Sequence, residues 1–215
     1  MGTEEVLKPE NKQKTIKKKA SYYFIDEQWT LGQVAEYNET GILTKTNIFN
    51  LTTGEVNQYV IYTATGSYDY ESKQYDNNNT LLYRTVASGS NTHRSIIVYD
   101  QDDNLYYTSD LKISSVDSDH KAAVKTEAFE FSNEISKAEM TLNDYGDTVV
   151  SKIYKKLKAD EEYPSEPFIV HSYDHEYVFD DSKGLLIHNY TVTNYYPEND
   201  YSVIQYYKDE ISYWD

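Results

Sequence analysis

One short unit recurs along most of this chain, and it constrains the fold more than any other feature. Its clearest copy is Tyr37-Asn38-Glu39-Thr40-Gly41-Ile42-Leu43. An aromatic residue is followed by two to four small polar or acidic residues, a Gly or Asn, and then an apolar β-former. Further copies start at Phe49, Tyr62 (ending at Gly66), Tyr75, Tyr99 and Phe179. Asp or Asn at the start of a type I turn bonds back to the backbone two residues on. The closing residue must reach positive φ, which Gly does freely and Asn tolerates. A type I turn closed in this way joins two antiparallel strands. The first four starts lie 12 or 13 residues apart, so one unit reads as one strand plus one turn. Repetition of such a unit gives an antiparallel meander.

The expected fold is therefore all-β: an antiparallel β-meander of about a dozen strands, forming a curved or rolled sheet or two packed halves. Residues 1–20 read as a flexible charged tail and 21–215 as the repeat domain, with a point of subdivision near 110–138. Strands are expected near Ser21–Ile25, Gln33–Tyr37, Leu43–Phe49, Glu55–Tyr62, Ser67–Tyr75, Leu81–Ala87, Ser95–Tyr99 and Leu105–Ser109. After Glu139 the pattern resumes, closing with Phe168–Phe179, Leu185–Tyr195 and Tyr201–Tyr213. Two stretches allow helix or strand. In Lys121–Phe131 the alternation of Lys125, Glu127, Phe129 and Phe131 favours strand. In Thr148–Lys158, Val149, Ile153 and Leu157 lie four apart, as on a helix, while the β-branched residues favour strand; strand is preferred.

Only 39% of residues are hydrophobic, yet 24 of the 215 are Tyr. Tyr has a large apolar face and a polar tip, so it suits a sheet with one wet side. The net charge of −16 argues against a nucleic-acid partner, which needs a basic surface. The charge is uneven: residues 1–20 carry six Lys and three Glu, and the remainder carries 14 basic and 33 acidic residues. The absence of Cys excludes disulfides and thiolate metal sites.

Candidate chemistry is sparse. His171 and His175 are four apart, which on a helix would hold a metal. On a strand they would sit roughly 13 Å apart and could not share one ion. Asp100, Asp102, Asp103 and Asn104 faintly resemble a calcium loop, but the required Gly and Glu positions are Leu105 and Leu111; a turn with solvated acids accounts for them better. There is no Gly-x-Ser-x-Gly elbow and no phosphate-cradling loop. The reading is of a non-enzyme with no catalytic, cofactor or metal residues. Adjacent tyrosines such as Tyr195-Tyr196 and Tyr206-Tyr207, and nearby Tyr68 and Tyr70, either support cross-strand packing or form a recognition surface.

The repeated units resemble the YD repeats of RHS-type bacterial surface proteins. They are more similar still to the shorter, degenerate YD-like bacterial lipoproteins and secreted proteins. The likeness runs through Trp29–Leu43, Leu142–Asp147, His171–Asp180 and Asp209–Trp214. The start, Met1-Gly2-Thr3-Glu4-Glu5, resembles a mature lipoprotein whose lipidated Cys has been replaced by Met1. The resemblance implies a non-catalytic, exported or surface-tethered protein offering a Tyr-rich acidic surface to a protein or glycan. Its only membrane contact would be an N-terminal lipid tether. Two alternatives stand beside it: a cytosolic, immunity-type acidic protein neutralising a basic partner, and a structural or virion component assembling through sheet edges.

Overall fold

A computed structural model describes residues 15–66, 68–90, 92–116, 122–130, 134–143 and 147–214. Most of the expected tail, the segment around His120 and the Asp144-Tyr145-Gly146 part of one unit lie outside these residues.

Among the described residues fourteen strands follow one another: β1 (Ile16–Ile25), β2 (Gln28–Tyr37), β3 (Leu43–Phe49), β4 (Val56–Ala64), β5 (Tyr70–Asp76), β6 (Leu81–Gly89) and β7 (His93–Asp100). Then come β8 (Leu105–Val116), β9 (Ala122–Glu130), β10 (Glu134–Leu142), β11 (Thr148–Leu157), β12 (Ile169–Asp180), β13 (Leu185–Tyr196) and β14 (Tyr201–Tyr213). Each pairs antiparallel with its neighbour in sequence, and β1 also pairs with β14 from Ile16 opposite Tyr213 to Tyr23 opposite Tyr207. The meander is thus one rolled sheet closed on itself. It is not two packed halves, and the ladder runs without interruption through β8, β9 and β10.

The turn chemistry explains the hairpins. Asn38 Oδ1 accepts from the amides of Thr40 (3.1 Å) and Ile42 (2.9 Å). Asn50 does the same for Thr52 and Thr53, Asp76 for Asn78 and Thr80, Asp100 for Asp102 and Asn104, and Asp180 for Ser182 and Lys183. Gly41, Gly54, Asn79, Asp103 and Gly184 supply the positive φ in these same turns. The copy at Tyr62 departs from this. Its strand runs on to Ala64, and Gly66 has no positive φ but bonds to Asp69.

β1 departs from expectation at both of its ends. It begins at Ile16, so Lys17, Lys18 and Lys19 belong to the sheet and not to a tail. Their polarity reads as solvated in isolation; in the ladder Lys18 and Lys19 gain partners on both β14 and β2. The β1–β2 hairpin turns at Asp26-Glu27, both with positive φ, as a two-residue turn that carries neither Gly nor Asn.

Both ambiguous stretches are strands. β11 pairs with β10 from Leu157 opposite Glu134 to Thr148 opposite Leu142, so the four-residue spacing of Val149, Ile153 and Leu157 is incidental. The buried positions are mostly short side chains, among them Ala35, Ala87, Ala138, Ser72, Ser109 and Ser136. Tyrosines supply the larger surfaces: Tyr23 lies over Gly32, where a Cβ would come within 1.9 Å of its ring.

Candidate functional site

Register sorts the residues of β12–β14 and β1 onto two faces. Tyr177, His188, Asp209 and Ser21 stand opposite one another in turn and are all buried, so they mark the inner face. Residues one step away, Glu176, Asn189 and Lys208, face outward.

The inner face carries a continuous ring stack. Tyr177 lies 4.4 Å from His188, His188 5.0 Å from Tyr190, and Tyr190 5.0 Å from Tyr207, all stacked. Tyr207 meets Tyr23 edge-on at 5.3 Å. Beneath the stack runs a polar chain. His175 Nε2 donates to the Thr148 carbonyl at 2.7 Å, which leaves Nδ1 to accept from His188 Nε2 at 2.9 Å. His188 Nδ1 then faces Asp209 Oδ2 at 3.7 Å. Lys19 Nζ reaches the same oxygen at 2.7 Å. Burial alone would push the Asp209 carboxyl up; His188, Lys19 and Ser21 together hold it below its ordinary value. Burial pushes the Tyr190 phenol up, and the charge of Asp209 adds to that.

The sequence places His171 and His175 apart, and so does the structure. His171 Nδ1 meets Asn194 Oδ1, whose amide nitrogen donates to Gln205 Oε1 at 2.9 Å. The partner of His175 is His188, which sequence spacing did not single out; the pairing depends on the β12–β13 register, which sets His175 opposite Tyr190 and Tyr177 opposite His188. Among the described residues no group of three or more His, Asp or Glu is arranged to hold a metal ion. Asp100 and its neighbours form a turn with its carboxylate held low by the Asn104 amide.

The outer face has a different character. Closure of β1 onto β14 brings Phe24, Trp29 and Tyr206 together: Phe24 lies 5.2 Å from Trp29 and 6.1 Å from Tyr206. All three rings are open to solvent, at 42%, 42% and 49% exposure. Lys208 extends over the rings of Tyr22 (4.3 Å) and Trp29 (5.5 Å). Beside the rings lies a depression of about 230 Å³ whose walls include Trp29, Tyr206, Asp174, Glu176, Asn189 and Thr191. Asn189 donates to Glu176 at 3.3 Å. An exposed aromatic cluster flanked by carboxylates and an amide can offer a ring face to an apolar ring and take up the hydroxyls around it. Tyr206 faces out and Tyr207 in, as alternation along a strand requires.

Charges also stand mid-strand on the outer face, among them Lys73, Glu139, Lys152, Lys208 and Glu210. They interrupt the continuous apolar band that a lipid-spanning barrel carries. No helix of the described residues is long and apolar enough to cross a membrane.

Compared with protein-family models, curated proteins and solved structures, the chain matches none.

Proposed function

We propose that this protein is a non-catalytic binding protein that recognises a glycan through the outer groove of Phe24, Trp29 and Tyr206. The observation that carries the reading is the exposed ring cluster beside Asp174, Glu176 and Asn189. Single exposed aromatic rings are ordinary, but clustered ones mark recognition surfaces. Sugar rings match this chemistry, with C–H faces for the aromatics and hydroxyls for the carboxylates. The likeness to YD-repeat surface proteins supports an extracytoplasmic setting.

A second reading, capture of a basic protein, is favoured by the net charge of −16. Assembly through sheet edges has less support, because β1 and β14 cover each other's edges.

A glycan array probed with the wild-type chain and with Trp29→Ala and Tyr206→Ala tests the reading. Retention of a defined glycan set by the wild type, lost in both variants, is the expected result. Equal retention by the variants, or binding to polylysine with no glycan retained, would overturn it.

A further inference from the structure

A second recess, distinct from the outer groove, opens at the barrel end where the β2–β3 and β4–β5 turns meet β7. Its volume is about 380 Å³, and its walls include Ile42, Tyr62, Tyr68, Asp69, Tyr70 and Arg94. Arg94 stands on β7 opposite Gly89 of β6 and Leu111 of β8. Its Nε is buried and has no hydrogen-bond partner among the described residues. Neither an ion pair nor another hydrogen bond of its guanidinium is formed among them, in contrast to Arg84, which is tied to Asp103 at 3.0 Å. A buried donor left unpaired costs about 1–3 kcal/mol, so nearly all are satisfied in native proteins.

The surroundings narrow what Arg94 would take. Asp69 Oδ1 accepts from the Gly89 amide at 3.0 Å, which anchors the carboxylate in the recess wall. A Cβ on Gly66 would come within 2.7 Å of Asp69 Oδ2, so Gly66 leaves that oxygen accessible. A guanidinium recognises a carboxylate by paired, charge-assisted hydrogen bonds. With Asp69 in the same recess, a dianion such as a phosphate monoester is repelled, whereas a single negative charge is tolerated. Asp69 is also an acceptor for hydroxyls. Tyr62 and Tyr70, with ring centroids 6.0 Å apart, and the exposed Tyr68 offer apolar faces to a ring.

We infer that this recess binds a monoanionic sugar, a uronic acid, with its carboxylate on Arg94, its hydroxyls on Asp69 and its ring against the tyrosines. The ligand is either a free uronate or a uronic acid unit of a polysaccharide.

The test is saturation-transfer NMR and calorimetry on the full chain with glucuronate, an oligouronide and, as the neutral control, glucose. Glucuronate is expected to bind at least about tenfold more tightly than glucose, the scale of one charge-assisted hydrogen-bond pair. Arg94→Gln should remove that advantage and Arg94→Lys recover part of it, while Arg84→Gln, which removes an arginine that lines neither the recess nor the outer groove, leaves it unchanged. Tighter binding of the oligouronide than of glucuronate points to a polysaccharide source, and equal binding to the free acid. If Arg94→Gln does not fold, Ala64→Trp, at a further position in the recess wall, fills the recess with Arg94 intact and should abolish binding. Absence of glucuronate binding, no preference over glucose, or unchanged affinity in Arg94→Gln or Ala64→Trp would overturn the inference.

Discussion

Lys19 Nζ lies 2.7 Å from Asp209 Oδ2 inside the seam where the first strand meets the last. The two residues are far apart in sequence and hold the same junction that brings Trp29 beside Tyr206. Asp209 is 1% exposed, and His188 approaches the same carboxylate oxygen. Removing one member of a buried charge group strands the others. Asp209→Ala is therefore expected to destabilise the fold by about 3 kcal/mol or more, read from urea unfolding at neutral pH.

The same contacts fix the acid response. The folded-state value for Asp209 is depressed below its ordinary 3.8, so the ionised form is favoured by folding. Its contribution is present above that ordinary value and is lost as pH falls through the depressed one. Asp76, Asp100, Asp110 and Asp180 are also depressed, chiefly by backbone amides in the hairpin turns and, for Asp110 and Asp180, by neighbouring side chains. Stability should fall with acidification below about pH 4. Asp209→Asn should show a smaller fall over the same interval, and an identical slope in both chains would contradict this assignment.

Alkali acts through the ring stack. Burial raises the phenols of Tyr190, Tyr173, Tyr207, Tyr213 and Tyr37 above their ordinary 10.0. The neutral phenols are favoured by folding. Their contribution is complete below pH 10.0 and disappears as pH rises through the folded-state values. Phenolate absorbance should therefore appear in two stages, exposed tyrosines first and the buried set in one step coincident with loss of near-ultraviolet dichroism. A single smooth titration with the dichroism retained would show that the stack does not resist ionisation.

The β1–β2 turn is open to improvement. Asp26 and Glu27 adopt φ of 49° and 62° without the residues that favour this geometry. Replacing the pair by Asn-Gly should stabilise the chain by about 1 kcal/mol, seen as a higher thermal midpoint. A lower midpoint would mean that the native side chains make contacts there outweighing the backbone strain.

The hairpins were legible in the sequence because their causes are local. Asn38, Asn50, Asp76, Asp100 and Asp180 each bond amides within four residues, and the adjoining Gly, Asn or Asp supplies the positive φ. The Asp26-Glu27 turn was not legible, since neither residue type signals it. Closure was not legible either. The pairing of Ser21 with Asp209 depends on accumulated twist and register over the whole meander, to which no single stretch contributes a distinctive pattern. The groove and the His175–His188 contact follow from that long-range register, so Trp29 and His188 carried no mark of their place, and Tyr206 stood out only as one of an adjacent tyrosine pair. The three lysines of β1 looked like part of a charged tail for the same reason.

The groove depends on that seam, because without it Phe24 and Trp29 would not lie beside Tyr206. Hydrogen exchange of the backbone amides of β1 and β14, followed by mass spectrometry on the unmodified chain, measures it directly. Ala20, Ser21 and Tyr22 should exchange as slowly as the central residues of β13, since both neighbours of β1 are hydrogen-bonded strands. Rapid exchange along the β14-facing side of β1, with β13 protected, would mean that the sheet is open there and that the groove does not exist in solution.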